Sequence, residues 1–132
     1  MLLSFDQAGD LLDELYEEFP EPLFQQLNGG VCLLPDTRTD PELPGPETYI
    51  MGEYCTDPLL GRFINLYYGS FAALAEEEDW SEEDWEDELY TTLSHELTHH
   101  VEGLAGERGL EIKDEEEIAR WMAEEGSEHG KT

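Results

Sequence analysis

Leu89, Leu93, Leu97, Val101 and Leu104 recur three or four residues apart, the spacing that lines one side of an α-helix with apolar groups. Ser81 stands where an N-cap is expected, followed by Glu82, Glu83 and Asp84, acids that suit the positive end of a helix dipole. The pattern predicts a helix over residues 82 to about 102, broken by Gly103 and Gly106. Such a helix is about 30 Å long, the diameter of a small domain. The rest of a chain of 132 residues must therefore pack around it.

The same helix carries His95-Glu96-Leu97-Thr98-His99. At about 100° per residue, His95 and His99 fall roughly 120° and 80° before Leu89, on a face the leucines do not use. Two imidazoles one turn apart can hold a single divalent ion with little rearrangement. Glu96 lies beside them, placed to take a proton from an activated water. An H-E-x-x-H string suits zinc hydrolases for this reason. His100 falls on the apolar stripe instead and reads as a packed core histidine. His129, near the end of the chain, is given no role.

A catalytic zinc usually has three protein ligands. Glu102, seven residues after His95, shares the histidine face but lies nearly a turn beyond His99. Asp114 follows the glycines, and a chain reversal would bring it back over the pair. It is equally suited to capping the next helix. Glu111 is a weaker option.

The remaining pattern describes a small α+β domain. Ser4 and Gln7 form a capping box, and Phe5, Ala8, Leu11, Leu12, Leu15, Tyr16 and Phe19 follow at helical spacing until Pro20. Residues 22–27 read as a second short helix. Residues 31–34, 48–55 and 62–68 read as strands, with a proline-rich loop over 35–47. The last two strands are close enough in sequence to pair antiparallel. Residues 69–75 read as a connection with at most one helical turn. A final helix over 115 to about 125 presents Ile118, Trp121 and Met122, and 127–132 read as a frayed tail.

Lys and Arg number 6 against 34 Asp and Glu, a formal charge of −28. That balance argues against nucleic acid and anionic membranes. It suits basic partners or a high-salt interior, or simply a very soluble surface. No run approaches the roughly 18 apolar residues of a membrane span, and no leader is evident, so a cytoplasmic location is expected. Cys32 and Cys55 sit in apolar, strand-like runs and read as two buried free thiols.

Three stretches carry a further signal: LNGGVCLLP at 27–35, YIMGEYCTDPLLGRFINLYYGSF at 49–71 and LSHELTHHVEGLAGERGLEIKD at 93–114. Across them, over nearly its whole length, the chain resembles the small zincin-like metallopeptidases of bacteria known as mini-zincins. The resemblance implies a single zincin-like domain over 1–132. In it, a small mixed or antiparallel sheet packs on the H-E-x-x-H helix, with helices at both ends. It also implies Zn2+ as cofactor and a peptide or protein as substrate, possibly basic.

Mini-zincins carry H-E-x-x-H-x-x-G-x-x-D, whose Asp is the third ligand. This chain has Glu102 and Ala105 at the Gly and Asp positions. With an insertion after His99, Ile112-Lys113-Asp114-Glu115 matches the Asp-containing stretch. The resemblance then gives Asp114 the third-ligand role, with Glu102 as the alternative. On this reading His95 and His99 hold zinc, Glu96 is the general base, and the strand over 62–68 forms the rim along which an extended peptide pairs. The alternatives are an acidic binding module on the same scaffold, its metal site weak or empty, and an acidic mimic of nucleic acid directed at a basic protein.

Overall fold

A computed structural model describes residues 1–107 and 110–129, the last four as backbone only. Four helices, α1 (Phe5–Tyr16), α2 (Tyr68–Glu78), α3 (Glu82–Ala105) and α4 (Glu115–His129), accompany a small sheet. The sheet contains β1 (Gly30–Leu34), β4 (Gly52–Asp57) and β5 (Gly61–Tyr67) in the order β1-β5-β4. Two-residue strands β2 (Arg38–Thr39) and β3 (Tyr49–Ile50) pair separately.

β5 is the central strand. It runs parallel to β1 and antiparallel to β4, with Glu53 opposite Asn65 and Tyr54 opposite Ile64. The β4–β5 turn is tied by the Asp57 carboxylate, which accepts the backbone N–H groups of Leu59 and Leu60. Those bonds hold the Asp57 carboxyl below its ordinary range. Gly61 closes the turn at φ +78°, a conformation that disfavours any Cβ.

Alternation along β5 decides what the sheet buries. Ile64 and Leu66 face the helices and are fully buried. They join the α3 stripe Leu89, Leu93, Leu97 and Val101, together with Leu12 and Leu15 of α1, Phe71 of α2, and Ile118 and Trp121 of α4, in one cluster. Trp80 and Trp85, set among the acids at the start of α3, are core residues packed edge to face. Among the described residues no helix is long and apolar enough to cross a membrane.

The structure departs from the sequence-based expectations at several points. Residues 62–68 do not form a rim, because β1 takes the second edge of β5; the open edge beside α3 belongs to β4. The strand expected over 48–55 breaks at Met51, whose carbonyl accepts the Tyr67 N–H, and its first residues turn away to pair with β2. The short helix expected over 22–27 is a 3-10 helix, Glu21–Phe24, and it ends before residues 25–27. The connection after β5 is α2, eleven residues long. Its opening Tyr-Gly-Ser is a weak helix former, but burial of Phe71, Leu74 and Ala75 decides the outcome. α4 continues through Ser127 to His129, where a frayed tail is expected, and 130–132 lie outside the described residues. Cys32 is exposed and Cys55 half-buried; neither is a core thiol, though both are free.

Candidate metal centre

α3 begins as its sequence predicts. The Ser81 hydroxyl accepts the Asp84 N–H, and the Asp84 carboxylate accepts the Ser81 N–H. From there the leucine stripe turns inward and leaves His95 and His99 exposed. Their Nε2 atoms lie 3.0 Å apart and their rings are perpendicular. Glu96 lies beside them but is buried, only 7% exposed. One ligand atom from each of the three residues lies within 4.8 Å of the others.

Glu96 is buried against the open edge of β4. Its carboxylate lies toward the backbone N–H of Tyr54, which the β4–β5 register turns to that open edge. Burial pushes the Glu96 carboxyl up, while His95, His99 and the Tyr54 N–H pull it back. Ile50, Met51, Gly52, Thr91 and Thr92 complete an open depression of about 430 Å³ beside His95 and Glu96.

Tyr54 grips α3 a second time. Its hydroxyl is 2.9 Å from His100 Nδ1, and His100 Nε2 is 2.8 Å from the Gln25 carbonyl oxygen. A carbonyl only accepts, so Nε2 carries the proton and Nδ1 accepts from Tyr54. His100 is fully buried, as its place on the stripe predicts. Burial holds it below the ordinary histidine range, which keeps it neutral.

The structure thus brings together His95, Glu96 and His99. It does not bring Asp114 or Glu102 into that group. Asp114 opens α4 at φ +57°, its carbonyl accepting the Ile118 N–H. The Gln25 side chain holds both the N–H and the C=O of Lys113, tying this corner to the 3-10 turn Glu21–Phe24. Glu102 lies in a different depression, with Leu104, Ile112 and Ile118. Glu111 is not among the gathered groups either, and the His129 side chain lies outside the described residues. Tyr54, Gly52 and Gln25 have no motif of their own; only the pairing of β4 with β5 and the path of the chain past α3 reveal them.

The spacing of the two imidazoles fits zinc, with Glu96 the one other donor gathered beside them among the described residues. Two nitrogens at about 2.05 Å from a tetrahedral zinc ion stand roughly 3.3 Å apart, close to the 3.0 Å found here.

No family model matches the chain, and no curated protein does. Among solved structures it is similar to a conserved hypothetical protein from T. thermophilus. The two are 37% identical, the match covers 78% of this chain and 98% of that one, and the TM-score is 0.63. The chain belongs to that protein's family. The family's α+β architecture is therefore common ground, and the reading of function rests on the site itself.

Proposed function

We propose that this protein is a zinc-dependent peptidase with a zincin-like active-site helix. One observation carries the reading: a buried carboxylate, Glu96, joined to two exposed imidazole nitrogens poised 3.0 Å apart. A solvated helix that carried two histidines by chance would have no reason to bury the acid beside them against a strand.

His95 and His99 would hold the metal, which when bound supplies Lewis acidity toward a carbonyl and a more acidic water. Glu96 is the general base. Its carboxylate, beside the Tyr54 N–H, would accept the water proton and return it to the leaving amine. Because the Tyr54 amide points out of the sheet, Gly52 and Thr56, two residues away on either side, turn their backbone groups to the same open edge. An extended peptide would pair there. The charge of −28 would favour cationic substrates, seen as kcat/KM rising with peptide charge and falling with salt.

The test combines calorimetric zinc titration with mass spectrometry of a mixed peptide pool. Glu96→Gln is expected to keep zinc and lose cleavage, and His95→Ala to lose both. Cleavage that survives Glu96→Gln would overturn the mechanism. A second reading, an acidic binding module on this scaffold, is favoured by the absence of Asp114 and Glu102 from the group that His95 and His99 form. It gains if zinc binds and no peptide is cut.

A further inference from the structure

We infer that Gly52 is a positioning residue: its missing side chain lets α3 close on β4 at Thr92, and that contact sets Glu96 beside the Tyr54 amide at the open edge of β4. The role rests on the peptidase reading, but the placement itself is measurable without it.

A Cβ built on Gly52 would lie 2.8 Å from Leu66 Cδ2, 2.9 Å from Thr92 Cγ2 and 3.2 Å from the Asn65 carbonyl oxygen. The first two are shorter than carbon contacts allow. Leu66 is fully buried. The backbone of Gly52 does not have a positive φ. Its glycine is therefore explained by the close approach of Leu66 on β5 and of Thr92 on α3, not by a turn.

The contact lies in register with the seat of Glu96. Thr92 is four residues before Glu96, on the same side of α3, and Gly52 is two residues before Tyr54, on the same side of β4. Four helical residues advance about 6 Å and two strand residues about 6.8 Å. The two elements thus meet at two successive points, Gly52 against Thr92 and Tyr54 N–H against Glu96. Gly52 and Thr92 also line the depression beside His95. A methyl group at position 52 pushes the helix away where it must come closest. It leaves His95 and His99 in mutual register, because both ride on α3.

Gly52→Ala should therefore separate the two halves of the site. Zinc affinity by calorimetry is expected within about twofold of the parent protein. The Tyr54 amide, followed by 15N-edited NMR, should move upfield and exchange with solvent at least tenfold faster as it loses its carboxylate partner. Peptide cleavage should fall at least tenfold, in kcat rather than KM. Gly52→Ala combined with Thr92→Ser, which removes the crowding Cγ2, should recover at least half of the amide shift. Should Gly52→Ala fail to fold, Thr92→Ile crowds the same contact from the helix side at a half-buried position and should move the same amide.

An unmoved Tyr54 amide in folded Gly52→Ala, or no recovery with Thr92→Ser, overturns the inference. If the parent protein cuts no peptide at all, the peptidase reading fails, while the amide measurements still decide whether Gly52 seats Glu96.

Discussion

Replacing His100 by Leu tests whether the helix and the open strand are joined by the bonds described. The imidazole is fully buried and bridges two groups, donating to the Gln25 carbonyl at 2.8 Å and accepting from the Tyr54 hydroxyl at 2.9 Å. Leucine fills similar space but leaves both partners unpaired. An orphaned buried polar group costs about 1–3 kcal/mol. Tyr54 and Gln25 are themselves only half-buried, so water reaches them in part, and the combined loss should be roughly 2–4 kcal/mol. For a domain of this size that lowers Tm by roughly 6–15 °C. Urea unfolding followed by tryptophan fluorescence reads the change directly, since Trp80, Trp85 and Trp121 are all buried. A double-mutant cycle with Tyr54→Phe should return a coupling near 1 kcal/mol. The pH dependence adds an independent check. Burial depresses the folded-state pKa of His100, so below the unfolded value of about 6.5 the unfolded chain binds the extra proton and stability falls with pH. That part of the acid slope should be missing in His100→Leu. A loss under about 0.5 kcal/mol, or an unchanged slope, would refute the bridge.

Three further outcomes follow from the same structure. Ser81→Ala removes the side-chain acceptor of the α3 N-cap and should destabilise by about 1 kcal/mol in the same unfolding assay. Trp85→Ala empties a fully buried site between Phe71, Tyr68 and Trp80 and should cost about 3–5 kcal/mol. With a thiol-reactive disulfide reagent at pH 8, Cys32 should react first, being exposed. Cys55 should lag, because burial and then the nearby Glu53 and Glu96 carboxylates raise its thiol.

What was legible in the sequence was what local rules decide. The capping box at Ser4, the N-cap at Ser81, the leucine stripe, the outward His95 and His99 and the inward His100 all depend on positions within a helix or its first turn. Spacing alone places them, because a helix fixes its own angles. The elements that differ from expectation depend on partners far away in sequence. Whether residues 62–68 form a rim or a centre turns on where β1 docks, more than thirty residues earlier, and no feature of Arg62 or Tyr67 states that choice. α2 is a helix because Phe71, Leu74 and Ala75 find a core to bury in, against the preferences of Tyr68-Gly69-Ser70. The apolar neighbours of Cys32 and Cys55 suggest burial, but alternation places both thiols on the sheet face turned away from α3.

The site divides along the same line. Two nitrogen donors one turn apart are a local property of α3 and would persist in almost any fold that keeps the helix. A general base is not local: Glu96 acquires its burial and its amide partner only where β4 crosses α3. Metal affinity and catalytic competence should therefore respond to different substitutions. Changes at His95 or His99 act within the helix. Changes at Gly52, Thr92 or Tyr54 act on the distance between helix and strand. The placement of Asp114 fits this division, because a third ligand from α4 would have to cross from the corner that Gln25 ties to Lys113. Gln25→Ala, which releases that corner, is thus expected to tighten zinc binding if Asp114 completes the set. If Asp114 remains a helix cap, zinc binding should be unchanged and only stability should fall.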